Sequence, residues 1–468
     1  MKTFTLQREV PVDKEYDLVV AGGGPAGAVA AIAAGRLGAK VLLVESTGCM
    51  GGMGTSGLVT AFNPMANGNE MMVGGVMREI VETLYRTGGL GPNVRPETFN
   101  KLYGKWVPFN VEAYKHLLDQ MALAAGVEVR FFTRVIDADV DKRNRHVNGV
   151  IIHNVEGYRF VPAKTFIDAT GDAILADLCG VECREAGRDT PHIMPATLPS
   201  LFANMDWNAL GSGDEAWHKE NNALKKALAD GHFTQYDRQL PGMFRVTGTV
   251  GFLNGGHLFN LNALRNDSMS KGVMLGRRLA QEYLSFYRKY VPGCANMEHV
   301  VTASLIGVRE SRRIVGEYEL TVHDYQARRH FDDDIGIFNN FIDIHPYDCT
   351  DEAYEQFCKE KSFGQSIGPG ESFGMPYGML VPKGWSNLWV AGRCASADVQ
   401  AHGVIRVQPS CALMGQAAGT AAVQASRSGE PACDLNTGRL IDTLINAGSH
   451  LPFSRGATRT TAGVSAVA

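Results

Sequence analysis

The sequence predicts an α/β protein built around a parallel sheet. Its 468 residues exceed a usual single core, so two lobes are expected, although one large interleaved domain is compatible with the length. Residues 16–45 change their hydrophobic period twice, from a β-branched run to a small, helix-compatible run and back to an apolar run. A further apolar strand is expected within residues 163–172. The first pattern predicts a βαβ unit, and such units join parallel strands.

Composition and charge limit the classes of partner. The chain is 45% hydrophobic and 20% charged, and its formal net charge of -4 provides no global basic field for nucleic acid. No apolar run approaches the roughly 18 residues of a membrane span, and residues 1–17 lack the apolar core of a signal peptide. None of the nine cysteines forms a C-x-x-C pair, so no metal or iron–sulfur site is expected. We therefore expect a cytoplasmic protein without a nucleic acid partner or a membrane span.

A glycine motif at the first strand-to-helix turn predicts a dinucleotide site. Gly22, Gly24 and Gly27 form G-x-G-x-x-G. In this order they permit the turn, the approach of a pyrophosphate and close helix–strand packing. Glu45 ends the second strand, where a carboxylate can accept hydrogen bonds from a ribose. The flanking strands, the helix and the acidic residue favour this interpretation over a glycine-rich turn without a ligand.

Two further segments favour FAD over a nicotinamide dinucleotide. Residues 46–57 are dense in glycine, so their backbone can approach a long cofactor beyond its adenosine half. The strand within residues 163–172 ends in Ala169-Thr170-Gly171, a turn that often closes the adenine site in flavoproteins of the glutathione-reductase type. No second G-x-G-x-x-G has a strand and a helix around it, so a built-in NAD(P)H domain is not expected.

Several motifs together resemble one family. They include E-S-T-G-C-M-G-G-M-G-T-S-G-L-V, F-I-D-A-T-G-D, V-R-E-S-R-R-I-V-G-E-Y and N-L-W-V-A-G-R-C-A-S-A-D-V-Q-A-H-G-V-I-R-V. The chain is similar to the FAD-dependent oxidoreductases, a large bacterial family with a glutathione-reductase-type FAD domain. That domain is distantly similar to the flavoproteins of fumarate reductase and succinate dehydrogenase. The resemblance implies a Rossmann-type FAD-binding domain, with a βαβ unit and a parallel sheet, that is interrupted by a mixed α+β substrate lobe.

The resemblance also implies domain limits. Residues 1–179 would form the first part of the FAD-binding domain, 180–382 the substrate or cap domain, 383–450 the C-terminal part of the FAD-binding domain and 451–468 a tail.

The apolar spacing of residues 111–125 predicts a helix in the first part, with Gly126 as its C-terminal cap. Pro409 predicts the start of a helix whose dipole could stabilise negative charge on a reduced flavin.

The motifs and the resemblance give a set of candidate cofactor contacts. Arg134 and Val135 are implied near the adenine. Arg393 stands where the resembled enzymes carry an acid for the ribityl chain, so Asp398 is a candidate for that role, with a helix cap as the alternative. Cys49 is expected to pack against the cofactor, with covalent attachment as the less favoured alternative. The candidates are Gly22, Gly24, Pro25, Ala26, Gly27, Glu45, Ser46, Cys49, Gly51, Gly52, Gly54, Thr55, Arg134, Val135, Ala169, Thr170, Gly171, Gly392, Arg393, Asp398 and Gly415.

Four residues are candidates for catalysis. H-G-V-I-R-V resembles H-G-A-N-R-L of the fumarate reductases, which makes Arg406 a candidate anion clamp and His402 a neighbour of the substrate or flavin. A structural ion pair and a core histidine are the alternatives. R-E-S-R-R-I predicts a basic helical face, in which Arg309 is the candidate anion contact; pairing with nearby glutamates is the alternative. In D-I-H, His345 could move a proton, or it could stabilise the turn before the next proline.

The combined interpretation is an FAD-dependent oxidoreductase, either a dehydrogenase or a reductase. It would transfer a hydride between flavin N5 and a small organic substrate, for which the arginines suggest an anion. An electron donor or acceptor of unknown identity would complete the cycle, and a homo-oligomer is compatible with the sequence. One alternative is a flavoprotein electron-transfer or structural subunit without its own small-molecule substrate. A tRNA-modifying flavoprotein is a further alternative, which the charge balance disfavours.

Overall fold

The computed structural model of the protein describes residues 3–92, 94, 95, 106–363 and 367–452. The α-helices are α1 Pro25–Arg36, α2 Gly75–Arg86, α3 Val111–Ala124, α4 Ile174–Cys179, α5 Trp207–Leu210, α6 Gly213–Ala229, α7 Asn266–Tyr290, α8 Val322–Gln326, α9 Asp351–Phe363, α10 Val399–Ile405, α11 Gln408–Ser428 and α12 Thr437–Asn446. The strands are β1 Tyr16–Ala21, β2 Val41–Val44, β3 Ala61–Phe62, β4 Val107–Pro108, β5 Glu128–Arg130, β6 Arg134–Asp141, β7 His146–Asn154, β8 Gly157–Asp168, β9 Cys183–Glu185, β10 Ala196–Thr197, β11 Ser200–Ala203, β12 Phe244–Thr247, β13 Val250–Leu253, β14 His257–Leu258, β15 Glu298–Thr302, β16 Arg312–Ile314, β17 Asp334–Phe338, β18 Phe373–Pro376 and β19 Leu388–Val390. The tail expected at residues 451–468 lies outside the described residues, apart from its first two positions.

A seven-stranded sheet confirms the predicted α/β class. Its order is β5-β2-β1-β8-β7-β6, and β19 also pairs with β8. The strands β5, β2, β1, β8 and β19 are mutually parallel, whereas β6, β7 and β8 pair as an antiparallel meander. The long strand β8 serves both parts, since its beginning pairs with β7 and its end lies between β1 and β19.

The parallel strands end at one edge of the sheet. Ala21 is in register with Val44 on β2 and with Asp168 on β8, and Asp168 is in register with Val390 on β19. The chain segments that follow these four strands are therefore neighbours in space. In open α/β sheets this carboxyl edge is where ligands bind.

Two helices distant in sequence pack against each other next to this edge. A Cβ on Gly415 would lie 2.1 Å from the Ala26 carbonyl oxygen, and one on Gly419 would lie 2.2 Å from that of Ala30. Both glycines belong to α11 and both alanines to α1, and each pair is spaced by one helical turn. The close contact of α1 and α11 therefore depends on the absence of these two side chains.

We expect Gly419→Ala to destabilise the fold. The clashing atom belongs to the α1 backbone, so the helices must move apart, and overpacking of this kind costs about 1–3 kcal/mol of the free energy of unfolding. A lower midpoint of thermal unfolding would show this loss. Gly438→Ala on α12 is the matched control, because its Cβ would meet only the Asn436 side chain, at 3.4 Å. Equal midpoints for the two variants would contradict the packing argument.

A second lobe covers the carboxyl edge of the sheet. It contains the antiparallel sheet β12-β13-β11-β15 and the helices α6 and α7. Phe202, Phe286 and Tyr287 are buried in one of its cores, and Phe252 in the other.

Within the described part of the chain, no helix combines the length and apolar character that crossing a bilayer requires.

Packing also bears on the expected cap domain. Ile335 of β17, Phe373 of β18, Val381 and Leu320 share one core with α1 and α11. The buried residues of the second-lobe cores lie between Ala196 and Ile306, apart from Leu58, Ala61 and Val111. The limits at 179, 382 and 450 stay a prediction, although these four residues of the expected cap domain pack in the first core.

Candidate active site

A cavity of about 1110 Å³ lies between the carboxyl edge of the parallel sheet and the second lobe. Its sheet side includes Gly22, Glu45 and Gly392, whereas Trp217 and Arg238 belong to its opposite wall. The cavity is thus built from segments that are far apart in the sequence and that the fold brings together.

The glycine turn forms one end of the cavity. Gly22 has a φ of +93°, and a Cβ there would lie 2.6 Å from the Ala169 carbonyl oxygen. A Cβ on Gly24 would meet no atom within 4 Å, and Gly24 lines the cavity at the N-terminus of α1. A Cβ on Gly27 would lie 1.8 Å from the Gly22 carbonyl oxygen. Gly22 and Gly27 therefore permit the tight turn and packing, and Gly24 leaves space for a ligand.

Glu45 is a buried carboxylate in the same wall, and both of its oxygens accept hydrogen bonds. Its Oε2 accepts a hydrogen bond from the Gly23 amide at 2.6 Å. Its Oε1 accepts hydrogen bonds from the Thr47 amide at 2.7 Å and from the Ser46 hydroxyl at 3.2 Å. These contacts join the glycine turn to the loop after β2.

Asp168 positions the A-T-G turn. Its carboxylate accepts hydrogen bonds from the Thr170 amide and hydroxyl and from the Ala176 amide. Complete burial raises the pKa of this carboxyl, against the effect of the three hydrogen bonds. Ala169, Thr170 and Gly171 consequently follow β8 along the cavity wall.

Arg393 has an acidic partner in the structure. Its Nη2 donates to Asp172 Oδ1 at 2.7 Å, and its Nη1 donates to the Ser311 hydroxyl at 2.9 Å. The Ser311 hydroxyl in turn donates to Asp172 Oδ1 at 2.6 Å. Arg393 thus joins the segment after β19 to the residue that follows the A-T-G turn, and it lines the cavity as a paired charge.

The helix α11 points its N-terminus at the cavity. It starts at Gln408 with Pro409 in its first turn, which confirms the predicted helix start, and no side chain caps it. Val407, Gln408 and Cys411 line the cavity. The Gln408 Nε2 donates to the Val59 carbonyl at 2.8 Å. The positive end of the helix dipole is therefore available to a negatively charged group.

The expected basic helical face is wrong. Arg312 lies in strand β16, which pairs with β9, and its side chain forms an ion pair with Asp177 at 2.9 Å. Arg313 is buried on the other side, where it pairs with Glu310 at 2.9 Å and Asp189 at 2.6 Å. Neighbouring residues of a strand point to opposite sides, so these arginines separate.

Arg309 is a buried cation that lines the cavity. It is 6% exposed, and its Nη1 donates to the Pro195 carbonyl at 2.6 Å. No carboxylate of the described residues lies within 4.0 Å of its nitrogens. Burial and the nearby Arg406 lower the pKa of Arg309 to about 10. This guanidinium therefore has hydrogen-bonding capacity that the described protein groups leave unused.

Arg406 lies close to Arg309 on the same wall. Its Nη2 donates to the Asp343 carbonyl at 2.7 Å and to Asp343 Oδ2 at 2.9 Å. Its Nε is buried without a hydrogen-bond partner among the described residues. Burial acts to raise the pKa of the Asp343 carboxyl, but Arg406 and His345 hold this pKa well below its usual range.

His345 lies in a row with another histidine. Its Nδ1 is 3.0 Å from Nε2 of His257, and Nδ1 of His257 is 3.2 Å from Asp237 Oδ1. On its other side, His345 Nε2 is 3.2 Å from Asp343 Oδ1 but is not aligned for a hydrogen bond. Neither His257 nor Asp237 was predicted, because both lie in other segments and follow no motif spacing.

Most of the predicted site residues reach the cavity wall, and eight do not. The lining residues are Gly22, Gly24, Pro25, Ala26, Glu45, Ser46, Gly52, Arg134, Val135, Ala169, Thr170, Gly171, Arg309, His345, Gly392, Arg393 and Arg406. The residues that do not line it are Gly27, Cys49, Gly51, Gly54, Thr55, Asp398, His402 and Gly415.

The contacts of three of these eight residues account for their positions. Asp398 is the N-cap of α10, and it accepts hydrogen bonds from the amides of Ala401 and Val322, so the structure gives it the cap role instead of a place beside a ligand. His402 is buried with Nε2 2.8 Å from the Arg393 carbonyl, as a core histidine would be. Cys49 Sγ lies 3.2 Å from a serine hydroxyl of its own loop.

The cavity wall fits the parts of FAD. The space at Gly24 and the uncapped N-terminus of α1 suit a pyrophosphate, because backbone amides and the helix dipole favour an anion there. Glu45, directly after β2, suits the ribose of the adenosine. The N-terminus of α11 suits the end of the cofactor that becomes negative on reduction.

The fold and the cavity define an FAD-binding enzyme. The family model described as FAD dependent oxidoreductase matches residues 17–444, and the chain belongs to this family. Its cofactor is FAD. A dihydrolipoyl dehydrogenase of Trypanosoma brucei brucei is 52% identical over 46 residues, which cover 10% of this chain and 10% of that protein.

Two solved structures align with most of this chain at low sequence identity. The myxobacterial chondrochloren halogenase, an FAD-dependent halogenase, is 14% identical, with a TM-score of 0.49 over 92% of this chain and 78% of that chain. A geranylgeranyl bacteriochlorophyll reductase-like protein of Thermoplasma acidophilum is 12% identical, with a TM-score of 0.45 over 93% of this chain and 84% of that chain. At this level of similarity we transfer neither a substrate nor a reaction.

Proposed function

We propose that this FAD-dependent oxidoreductase transfers a hydride between flavin N5 and a small anionic organic substrate. The observation that carries the proposal is the environment of Arg309, a buried guanidinium on the cavity wall without a carboxylate partner among the described residues. Burial of an unpaired charge is costly, so a site of this kind is expected to be completed by a ligand of opposite charge.

Arg406 supports the same substrate class. One of its nitrogens contacts Asp343, and its buried Nε is unused among the described residues. The H-G-V-I-R-V segment is similar to the segment that holds a carboxylate-binding arginine in the fumarate reductases. Two guanidinium groups with free donors can bind the two oxygens of a carboxylate and orient it.

The remaining wall holds the cofactor and limits water. The bound FAD supplies the hydride acceptor or donor. The residues that would hold it are those of the glycine turn, Glu45, the A-T-G turn and the N-terminus of α11. The second lobe covers this edge of the sheet, and exclusion of water strengthens the attraction between the arginines and an anion.

An anaerobic mixing experiment tests the substrate class. The FAD-bound protein is mixed with carboxylates, neutral alcohols, amines and reduced and oxidised nicotinamides, and the visible flavin absorbance is followed in both directions. We expect the compounds that change the flavin redox state to carry a carboxylate. Reduction by neutral alcohols alone would contradict the anionic class. Reduction by a protein partner and by no small molecule would favour the electron-transfer alternative.

Arg406→Ala should lower kcat/KM for the effective carboxylate by about 100-fold, because hydrogen bonds to charged groups contribute about 1.5–3 kcal/mol each. Arg406→Lys should recover part of the lost kcat/KM, because lysine keeps the positive charge but cannot donate the two parallel hydrogen bonds of a planar guanidinium. Steady-state kinetics at constant FAD occupancy measure both effects. Arg78→Ala, at an exposed ion pair with Glu82, is the control. An unchanged kcat/KM in Arg406→Ala would rule out the clamp.

A further inference from the structure

We propose that a row of four side chains takes up the hydroxyl proton of the substrate, and that the substrate is therefore a hydroxy carboxylate. The row consists of Asp343, His345, His257 and Asp237. This inference rests on the proposed function, because it assigns the second half of a dehydrogenation in which FAD takes the hydride. In the reverse direction the same row would return the proton to the oxygen of a keto carboxylate.

The four side chains form a continuous row. The contacts are Asp343 Oδ1 to His345 Nε2 at 3.2 Å, His345 Nδ1 to His257 Nε2 at 3.0 Å, and His257 Nδ1 to Asp237 Oδ1 at 3.2 Å. The His257 amide also donates to Asp237 Oδ2 at 3.1 Å, which fixes the inner carboxylate. Two imidazoles are thus placed in series between two carboxylates.

Proton counting shows that the row can hold one proton more than two neutral imidazoles carry. Two of the three contacts are hydrogen bonds and use the two hydrogens that two neutral imidazoles supply, whereas the contact of His345 with Asp343 holds none. With His257 Nδ1 donating to Asp237 and His345 Nδ1 donating to His257, the atom left over is His345 Nε2. This nitrogen is buried and has no hydrogen-bond partner among the described residues. It is therefore the atom at which an added proton would bind, facing Asp343.

Exposure indicates where the proton enters. The side chain of Asp343 is 24% exposed, whereas those of His345, His257 and Asp237 are 8%, 4% and 5% exposed. Asp343, His345 and His257 line the cavity. A substrate hydroxyl would consequently donate a hydrogen bond to the Asp343 carboxylate first, and the inner members would receive the proton from there.

The charges around the row link proton uptake to anion binding. The cations that face it are Arg309 and Arg406, and the titratable neighbour of Asp237 is the buried Tyr283. Burial and Arg309 lower the pKa of His345 to about 3, although Asp343 acts in the other direction. A substrate carboxylate beside Arg309 would remove most of this repulsion. With the anion bound, the row is thus better able to accept the hydroxyl proton of the substrate.

Asp343 is suited to accept a hydrogen bond from a hydroxyl group. Its side chain is 24% exposed and lines the cavity. Burial acts to raise the pKa of its carboxyl, but Arg406 and His345 hold this pKa below the usual range, so Asp343 stays ionised. A hydroxyl group becomes more acidic as the hydride leaves, so its proton can pass to this carboxylate.

The proposed step balances. The C–H bond breaks and its electron pair leaves with hydrogen as the hydride that FAD accepts. The O–H bond breaks, its electron pair forms the carbonyl bond, and its proton passes along Asp343 to His345 Nε2. The proton on His345 Nδ1 can then move to His257 Nε2, so that the added positive charge lies next to the Asp237 carboxylate. Substrate oxidation thus leaves one extra proton in the row.

Matched small carboxylates test the substrate class. Lactate carries both groups, propionate lacks the hydroxyl group, propane-1,2-diol lacks the carboxylate, and succinate offers a carbon–carbon bond. We expect lactate or its homologues glycolate and malate to bleach the flavin anaerobically, and propionate to bind without bleaching it. Bleaching by succinate and by none of the hydroxy acids would overturn the inference and leave the proposed function intact. Bleaching by the diol alone would overturn both.

A single anaerobic turnover tests the row itself. In FAD-bound protein labelled with ¹⁵N-histidine, we expect propionate to bind without adding a proton to the row, and one reduction of the flavin by the effective hydroxy acid to add one proton to its imidazoles. Calorimetry of propionate binding in buffers of different ionisation enthalpy should therefore show no net proton uptake by the row. Flavin reduction that leaves the protonation of both imidazoles unchanged would refute the row as a proton acceptor.

Variants separate proton transfer from anion binding. His257→Gln and Asp237→Asn should slow flavin reduction by the effective hydroxy acid about 10- to 100-fold and shift its pH profile. The Kd of propionate should stay within about threefold, because the arginines are unchanged. His232→Gln, whose Nε2 contacts the Glu282 carbonyl away from the cavity, is the control. Unchanged reduction rates in folded, FAD-bound variants would overturn the inference, and the wild-type NMR result decides if neither variant folds.

Discussion

Arg309→Met should raise the Kd of propionate about 10- to 100-fold while leaving the anion-free protein at least as stable as wild type. The lost affinity corresponds to the roughly 1.5–3 kcal/mol of a hydrogen bond to a charged group. The stability argument is that a buried cation without a carboxylate partner among the described residues destabilises the folded state, and an apolar side chain of similar length removes that charge.

Perturbation of the flavin spectrum by propionate gives the Kd, and thermal unfolding at constant FAD saturation gives the stability. Arg312→Met is the matched control, since that arginine pairs with Asp177 and does not line the cavity. A variant that binds propionate normally would contradict the role of Arg309 as the anion contact. A large drop in its unfolding midpoint would show instead that the hydrogen bond to the Pro195 carbonyl stabilises the fold.

Gly24→Val should lower the affinity for FAD by a factor on the order of 100 without unfolding the apoprotein. A side chain at this position would enter the space where the backbone approaches the pyrophosphate, and losing two charged hydrogen bonds accounts for an effect of this size. The protein itself tolerates the change, because a Cβ meets no atom within 4 Å and the φ of -62° is open to any residue.

Gly27→Ala provides the contrast. Its Cβ would lie 1.8 Å from a backbone oxygen, so we expect this variant to lose the fold together with the cofactor. Fluorescence titration with FAD and far-UV circular dichroism of the two apoproteins distinguish the outcomes. If Gly24→Val bound FAD as wild type does, the cofactor would have to pass elsewhere along the turn.

Local patterns were sufficient to predict much of the fold. The βαβ unit, the strand before the A-T-G turn and the helix α3 follow from hydrophobic period and glycine position, and each is seen in the structure. Gly126 has the positive φ expected of a helix cap, and Pro409 lies in the first turn of α11. These features depend on interactions within a few residues, which a single sequence contains.

The failures concern contacts between distant segments. Arg309, Arg312 and Arg313 have helical spacing, but pairing of β16 with β9 made that segment extended, and each arginine met a different environment. The partner of Arg393 lies 221 residues away, and that of His345 lies 88 residues away. Spacing cannot indicate such contacts, because they depend on how the lobes pack.

The contact of α1 with α11 has a consequence for protein synthesis. Ala26 and Ala30 leave the ribosome long before Gly415 and Gly419, which emerge only after the second lobe has been translated. Until then the apolar surface of α1 lacks its final cover, and the flavin end of the cavity lacks the α11 N-terminus. Cofactor loading is therefore expected to follow the synthesis of α11, and the nascent chain must keep α1 from aggregating until then.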